Sequence, residues 1–505
     1  MKIAGSVSGS AGVASGHRLA TEAGIEALKA GGTAVDAALA AAFTQWVVNA
    51  PQSGPGGEMV ALVAEPGDRD GDGTGDGVHV YGGWSRAPLA PAGGDSAARE
   101  GWPATSGPRN AVVPGSLRGA EAAWRDHGRL DWTDLFSGAL TAAAGHTVTA
   151  RMADVYQRVE SRGHTFALQR MLGSERAPKA GATIRMPDLA ATLETIAWQG
   201  PDAFYRGRLA DRLVEAAEAE GAALRHDDLA AVEAAVEPAL RFDLDDIVVW
   251  VTGAPSQAAI TPVLLAAAPP GADPAARDFA EAVAPLTEQQ LTEFCIRGPN
   301  RPAGTAVATA LDASGLSATV VHSLAGVQFG TGWVAGGTGV AFSNRVGTAL
   351  SDRPDLPGCH LRGGAVLPHT LSAAHVRRRP GPGWMTVATP GGDRQVQWLA
   401  QAIQRFRRGA APADIAAGSR WFVCPTGARF GVPAGIGEPW YAFAEPGIAW
   451  HDDTHLAGYE VRHTSNVGGG LQLVVGGDST GRRGHRSAAE LASDPRSGGA
   501  PLALV

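Results

Sequence analysis

Residues 304–324 read Gly-Thr-Ala-Val-Ala-Thr-Ala-Leu-Asp-Ala-Ser-Gly-Leu-Ser-Ala-Thr-Val-Val-His-Ser-Leu, and the rest of the chain can be placed around them. β-Branched residues alternate with small ones in the two runs that flank Asp-Ala-Ser-Gly at 312–315. Alternation at a period of two is typical of strands, and an Asp-x-x-Gly segment is typical of a tight turn. The pattern therefore predicts an antiparallel hairpin.

The predicted turn sets the register of this hairpin. If Asp312 faces Gly315, Thr305 lies opposite His322, and Ser323 follows one step further along the second strand. A threonine at the mouth of a hairpin, with a second hydroxyl alongside, could be a nucleophile. Most threonines that begin a strand are not catalytic, so the flanking segments determine whether Thr305 is a candidate nucleophile.

The composition is that of a globular protein with many loops. Charged residues make up 18% of the 505 positions and hydrophobic residues 44%, which argues against general disorder. The net charge of -8 argues against a nucleic-acid surface, which needs clustered positive charge. We read the arginine runs at 377–379 and 405–408 as solvated faces. The expected partner is a small molecule rather than a nucleic acid.

Cysteine usage and hydropathy give no sign of a disulfide framework or of a membrane partner. The three cysteines, Cys295, Cys359 and Cys424, are widely spaced and odd in number, so neither paired disulfides nor a Cys-x-x-Cys metal site is indicated. The first six residues lack the apolar core of a signal peptide, and no segment approaches eighteen apolar residues. We expect a cytoplasmic protein with buried thiols, no cofactor and no metal.

An acidic segment at 68–73, Asp-Arg-Asp-Gly-Asp-Gly, resembles the first half of a calcium loop. Position twelve of such a loop would be His79, where a bidentate glutamate is required. The flanking residues also have the pattern of strands rather than of helices. We predict a solvated hairpin loop here.

Two helices are predicted within residues 17–50. The first ends at the glycine pair 31–32, and Thr33-x-x-Asp36 is a capping-box start for an alanine-rich second helix. A Ser-Gly-Pro-Gly-Gly segment at 53–57 and an apolar strand at 59–63 follow. Small residues on both helices favour close packing.

The order of these segments, together with three further segments after the hairpin, resembles the γ-glutamyltranspeptidase family of N-terminal-nucleophile hydrolases. Residues 32–38, Gly-Thr-Ala-Val-Asp-Ala-Ala, are close to the large-subunit motif of that family. The later segments are Phe-Gly-Thr-Gly-Trp-Val-Ala-Gly-Gly-Thr-Gly at 329–339, Ser-Asn at 343–344 and Pro-Gly-Gly at 390–392. Further similarity at 113–116, 127–132, 200–207, 226–229 and 494–500 extends the resemblance to about residues 12–504.

The resemblance implies an architecture and a processing step. The expected fold is α+β, a four-layer αββα sandwich with two antiparallel sheets between helices. The family's precursor cleaves itself just before a threonine, which the match places at Thr305. Residues 1–304 are then the large-subunit region and residues 305–505 the small-subunit region, intertwined in one body. A homodimer of these two chains is left open.

The chemistry of an N-terminal threonine explains why cleavage and catalysis would depend on one side chain. A threonine hydroxyl needs a base, and the residue's own α-amine can serve once it is free, with a pKa of about 7.7–8.0. Gly304 leaves the scissile carbonyl sterically open. The resemblance gives Ser323 the role of the second hydroxyl, and Gly391 and Gly392 that of the oxyanion hole.

The sequence departs from the family where the γ-glutamyl group is bound. Trp84 stands where the family has an arginine for the α-carboxylate, and the paired serines fall on the Gly-Ala pair 364–365. The family's asparagine, glutamine and aspartate fall on Ala325, Arg345 and Thr348. Binding a glutamyl group without these partners would bury unpaired charges, so glutathione is not the expected substrate.

The expected substrate-binding residues are Arg86, Arg345, Trp84 and Asn344. Arg86 and Arg345 could hold a carboxylate placed differently, which keeps dicarboxylic amides and oxalyl-type substrates open. The main prediction is hydrolysis of an amide or similar acyl bond through an acyl-enzyme. One alternative is a carbon–carbon bond hydrolase in a bacterial natural-product pathway. Another is a catalytically silent family member that acts as a binding protein.

Overall fold

The computed structural model describes residues 5–66, 77–89, 106–268, 271–293, 304–325, 329–346, 363–425, 439–465, 468–477 and 489–504. The predicted hairpin loop at 68–73, Cys295, Cys359 and Thr348 lie outside these residues. Cys424 is buried, as expected. No helix within the described ranges is both long enough and apolar enough to cross a membrane.

Fourteen α-helices occur within the described residues, most of them in the first 293 positions. They are α1 Arg18–Lys29, α2 Ala34–Val48, α3 Ser116–His127, α4 Ser137–Ala144, α5 Ala150–Ser161, α6 Thr165–Leu172, α7 Pro187–Gln199, α8 Asp202–Tyr205, α9 Arg208–Glu220, α10 His226–Ala230, α11 Ile260–Ala267, α12 Arg277–Glu293, α13 Gln395–Arg407 and α14 Pro412–Ala417.

Twenty-two strands are described, and they form two large sheets and three small ones. They are β1 Ser6–Gly9, β2 Ala11–Ser15, β3 Glu58–Ala64, β4 Val78–Gly83, β5 His146–Thr147, β6 Thr183–Ile184, β7 Ala235–Pro238, β8 Leu240–Asp243, β9 Ile247–Val251, β10 Thr305–Leu311, β11 Ser317–Ser323, β12 Val334–Ala335, β13 Val340–Ala341, β14 Ala373–Arg378, β15 Trp384–Ala388, β16 Trp421–Pro425, β17 Trp440–Ala444, β18 His455–Leu456, β19 Tyr459–His463, β20 Gln472–Gly476, β21 Ala489–Ser493 and β22 Leu502–Leu504.

The two large sheets have seven strands each. The first sheet has the order β22-β2-β10-β11-β3-β4-β7, and the second has the order β1-β21-β20-β15-β14-β9-β8. All pairings within them are antiparallel. Residues on both sides of position 304 contribute strands to each sheet, so neither region forms a sheet by itself.

Three apolar layers hold the sheets and helices together. Alanines of β10 and β11 pack against the alanine-rich α2 in one layer. Larger residues on the opposite faces, such as Val307 and Val321, meet Val248 and Trp250 of the second sheet in the middle layer. The third layer joins the second sheet to α11, α12 and α13. This is the predicted αββα sandwich, and the prediction of its fold class is confirmed.

The helix start predicted at Thr33 is also present. Thr33 and Asp36 exchange side-chain and backbone hydrogen bonds in a capping box at the start of α2. The cap satisfies donors that a helix otherwise leaves unpaired at its first turn. The cap fixes the residue at which α2, the helix that packs against the hairpin, begins.

The hairpin forms, but the predicted register is wrong by one residue. Thr305 pairs with Ser323 rather than with His322. Because side chains alternate between the two faces of a strand, this shift decides which residue shares a face with Thr305.

The shift comes from the turn. Asp312 pairs with Leu316, since the Asp312 N–H donates to the Leu316 carbonyl at 3.1 Å. Gly315 has φ of +93°, a left-handed conformation that adds one residue to the loop. Three-residue hairpin loops of this kind combine a turn with a glycine bulge. The glycine is visible in the sequence, but the sequence does not show whether the loop has two residues or three.

Candidate active site

Three polar side chains form a row across the first sheet at the open end of the hairpin. Ser323 is directly opposite Thr305 on one side and Glu58 on the other. Directly opposite residues of antiparallel strands project from the same face of a sheet. That face is the one between the two sheets, because Val307 and Val321 lie on it. All three side chains are buried.

Ser323 connects Thr305 to the peptide bond that precedes it. The Thr305 hydroxyl donates to Ser323 Oγ at 3.3 Å, and Ser323 Oγ donates to the Gly304 carbonyl at 2.5 Å. The Ala325 N–H donates to Ser323 Oγ at 2.9 Å. A serine hydroxyl has one proton to donate and two lone pairs to accept with, so all its capacity is used. The three bonds aim the Ser323 proton at the carbonyl before Thr305.

Gly304 is held close to a neighbouring backbone. A Cβ at this position would lie 2.6 Å from Gln52 Cα, well inside van der Waals contact. The Leu324 N–H donates to the Gln52 carbonyl at 3.0 Å, so the segment that crowds Gly304 is tied to the end of β11. The carbonyl of Gly304 is therefore fixed in position relative to Ser323.

The glycine pair after β15 adopts a conformation that favours glycine. Gly391 has φ of +153° and Gly392 has φ of +63°. The ring of Trp398 lies where a Cβ on Gly391 would be, at 2.3 Å. A side chain at this turn would meet both backbone strain and the indole ring.

Two contacts show how the second sheet lies over the hairpin. Ser317 Oγ is 2.9 Å from Thr386 Oγ1, and the Thr309 hydroxyl donates to the Gln472 carbonyl at 3.5 Å. Gln472 pairs with the β15 residue that lies two positions after Thr386. Strand β15 thus runs toward the open end of the hairpin, and the glycine turn that follows it lies at the same end of the sandwich as Thr305.

A chain of hydrogen bonds also joins the glycine turn to the polar row. Gln257 Nε2 donates to the carbonyls of Gly392 and Thr370, at 2.8 and 3.3 Å. Arg345 Nη1 donates to Thr370 Oγ1 at 3.4 Å. Arg345 in turn pairs with Glu58, which completes the connection.

The ion pair between Arg345 and Glu58 is fully buried. The Arg345 Nε donates to Glu58 Oε1 at 3.1 Å, and its Nη2 contacts the same oxygen. The side chains are 2% and 0% exposed. Arg345 was expected to meet a substrate carboxylate, but the structure gives it a carboxylate of the protein. Its charge is therefore neutralised within the fold.

The other predicted binding residues lie around this pair. Trp84 packs in the layer between the sheets, with its ring 4.8 Å from that of His369. Arg86 is partly exposed, and its buried Nε has no hydrogen-bond partner within the described ranges. Asn344 is buried, and its Oδ1 accepts from Asn110 Nδ2 at 3.0 Å. Of the four, only Arg86 keeps a cationic group that is not shown in an ion pair.

Two titratable groups at this end of the sandwich have shifted pKa values. Burial holds the pKa of His369 well below its usual range, and the nearby charge of Arg345 lowers it further. The imidazole is therefore uncharged at neutral pH. Beside the glycine turn, burial raises the pKa of the Asp393 carboxyl.

Sequence reasoning missed Glu58 and His369. Glu58 begins a strand whose other residues are all apolar, and a charge there is unusual enough to be a signal. His369 follows a proline in a segment without periodicity, so nothing in the sequence pointed to it.

Among the residues that the structure describes, one group of side chains has a spacing suited to a metal. The ligand atoms of His451, Asp452 and His463 lie within 4.8 Å of one another beside the small β16-β17-β19-β18 sheet. Asp452 and His463 are exposed. This group is not part of the arrangement around Thr305.

A comparison with family models finds one match. The model described as gamma-glutamyltranspeptidase matches residues 20–282, just over half of the chain. This region contains most of α1, all of α2, and β3, the strand that begins with Glu58.

Related proteins of known function match over different lengths. Glutathione hydrolase 3 of Arabidopsis thaliana is 30% identical over 241 residues, which are 46% of this chain and 36% of that protein. Glutathione hydrolase 5 proenzyme of Homo sapiens is 31% identical over 262 residues, 50% of this chain and 43% of that protein. The chain thus spans well under two thirds of these relatives. Oxamate amidohydrolase proenzyme of Klebsiella pneumoniae is 27% identical over 443 residues, 77% of this chain and 80% of that protein.

Among solved structures, the chain is similar to cephalosporin acylase from Bacillus halodurans. The TM-score is 0.79 at 22% identity, and the similarity covers 99% of this chain and 97% of that one. At this identity the likeness shows the shared fold. Together with the family-model match, it leads to one conclusion: the chain belongs to the γ-glutamyltranspeptidase family.

Proposed function

We propose that this protein is a self-processing hydrolase that cleaves an amide bond through an acyl-enzyme on Thr305. The observation that carries the proposal is the geometry around Ser323. Its hydroxyl accepts from the Thr305 hydroxyl and donates to the Gly304 carbonyl. These two hydrogen bonds support Thr305 as the nucleophile and Ser323 as the proton relay at the Gly304 carbonyl.

In the self-processing step, the Thr305 oxygen attacks the carbonyl carbon of Gly304. The proton of Thr305 passes to Ser323 while Ser323 gives its own proton to the Gly304 carbonyl oxygen. That proton then moves to the Thr305 nitrogen as the carbonyl forms again and the Gly304–Thr305 peptide bond breaks. An ester between Gly304 and the Thr305 side chain results. Water then hydrolyses the ester and leaves a carboxylate on Gly304 and a free α-amine on Thr305.

The same hydroxyl would then act on substrate. The free α-amine of Thr305 takes the hydroxyl proton, the hydroxyl attacks the substrate carbonyl, and the amine product leaves with a proton. Water hydrolyses the acyl-enzyme. Backbone N–H groups at Gly391 and Gly392 would stabilise the oxyanion, since this turn lies at the nucleophile's end of the sandwich. Thr305 is buried in the unprocessed chain, so substrate access would follow cleavage.

Substrate choice would differ from that of a glutathione hydrolase. A γ-glutamyl group needs a cation for its α-carboxylate, and here Trp84 is apolar while Arg345 is already paired with Glu58. We therefore propose an acyl amide that does not carry the full γ-glutamyl pattern. Names such as oxamate amidohydrolase and cephalosporin acylase among the similar proteins fit amide hydrolysis of this wider kind.

Denaturing electrophoresis of fresh protein tests the proposal. We expect two fragments that separate before Thr305 in the wild type and a single chain in Thr305→Ala. A wild-type chain that stays intact, like Thr305→Ala, would show a silent family member instead. A γ-glutamyl-anilide assay tests the specificity argument, since robust turnover would contradict it.

A further inference from the structure

One carboxylate oxygen of Glu58 has no partner among the residues that the structure describes. Oε1 accepts both contacts from Arg345, whereas Oε2 is buried and makes no hydrogen bond within that part of the chain. A buried, unpaired carboxylate oxygen is costly, and such groups in folded proteins usually have a function or a missing ligand. Its position one strand away from Ser323 points to the acyl group of the substrate.

We propose that Glu58 Oε2 binds a hydrogen-bond donor, preferably an ammonium group, on the acyl part of the substrate. This inference rests on the proposed function of Thr305. Glu58 would bind the hydrogen-bond donor of the acyl group, and acyl groups that carry a carboxylate would be disfavoured.

The two basic groups around Glu58, Arg345 and His369, leave its free oxygen as an acceptor. Arg345 is neutralised by Glu58, and burial keeps His369 uncharged. A second carboxylate placed beside Glu58 would meet a like charge in a buried site. An ammonium group would instead add a positive partner to the free oxygen, forming a charge-assisted hydrogen bond.

The sheet geometry sets the length of the acyl group. Neighbouring strands lie about 4.8 Å apart, so Glu58 is roughly 10 Å from Thr305 across two strand spacings. After a hydrogen bond of about 2.9 Å is subtracted, about 7 Å separates the acyl carbon from the donor atom. An extended chain of roughly five bonds covers that distance. A δ-aminovaleryl group has this length.

Three p-nitroanilides whose acyl groups share a five-carbon chain test the inference on the processed wild-type enzyme. They carry the δ-aminovaleryl, valeryl and glutaryl groups, which end in an ammonium, a methyl and a carboxylate. We expect kcat/KM for δ-aminovaleryl to exceed that for valeryl by about tenfold or more, as for a hydrogen bond to a charged group. Glutaryl should be the poorest of the three.

Two variants connect the preference to Glu58. Glu58→Gln removes the negative charge of the carboxylate. If this variant does not fold, the double variant Glu58→Gln with Arg345→Met also removes the charge of Arg345, so that the site stays neutral. In either variant the ratio of δ-aminovaleryl to glutaryl should fall by about tenfold or more. A purely structural role for Glu58 would lower all three rates together and leave the ratio unchanged.

The outcomes separate this inference from the proposed function. Turnover without the ammonium preference, or a ratio that the variants do not change, overturns the role of Glu58 and leaves Thr305 as the nucleophile. Failure to cleave before Thr305, with no turnover of any anilide, overturns both. The wild-type ratios decide the matter even if neither variant folds.

Discussion

Gly304→Ala should slow self-cleavage strongly while leaving the fold in place. The added Cβ would lie 2.6 Å from Gln52 Cα, whereas ordinary contacts begin near 3.4 Å. Gly304 or its neighbour must therefore move by about 0.8 Å, and Gly304 is held by its 2.5 Å hydrogen bond from Ser323. Misplacing a reacting group by about 1 Å can cost about 100-fold in rate. We expect a reduction in self-cleavage of that order.

The assay is a time course of newly translated precursor on denaturing gels, with the fraction cleaved fitted to a single rate. Gly54→Ala is the matched control, because it lies two residues from Gln52 and its Cβ would be 3.8 Å from Leu324. That variant should cleave at close to the wild-type rate. If Gly304→Ala also cleaves within about threefold of wild type, the proposed geometry of the scissile carbonyl is wrong.

Three further predictions follow from the same region. Ser323→Ala removes the donor to the Gly304 carbonyl and should slow self-cleavage by about 10²–10³-fold, as for loss of an oxyanion donor, in the same gel assay. Arg345→Met leaves the Glu58 carboxylate buried and unpaired, and should lower the free energy of unfolding by about 3–5 kcal/mol in urea titrations, whereas adding Glu58→Leu should recover most of it. Burial lowers the pKa of His322 from 6.5 to about 3, so the unfolded chain binds the proton first as pH falls below 6.5. The free energy of unfolding should then fall by about 1.4 kcal/mol per pH unit because of this group. In His322→Gln the free energy of unfolding should change less steeply with pH between about pH 6 and 4. No change in slope would contradict the assignment of a neutral, buried His322.

Local patterns were enough to predict much of the fold. The capping box at Thr33 and the two strands around Gly315 depend on neighbours in sequence, and both are present. The αββα architecture came from the order of motifs in a known family rather than from periodicity. The one-residue error in register came from a loop whose length is decided by the conformation of a single glycine.

The surroundings of Thr305 could be predicted only in part. Ser323 and the glycine turn were expected from the family pattern, and the fold brings both to the same end of the sandwich. The pairing of Arg345 with Glu58 joins residues 287 positions apart, and no spacing rule reaches that far. The sequence alone therefore could not show that Arg345 pairs with Glu58 rather than with a substrate.

The mass of the small-subunit fragment during turnover tests the role of Thr305 as the nucleophile most directly. Processed enzyme is mixed with a slow acyl anilide, quenched in acid and analysed by intact-mass and peptide mass spectrometry. We expect a fragment that begins at Thr305 and carries the mass of the acyl group on that residue. Turnover with an unmodified Thr305, or with the acyl group on another side chain, would contradict it.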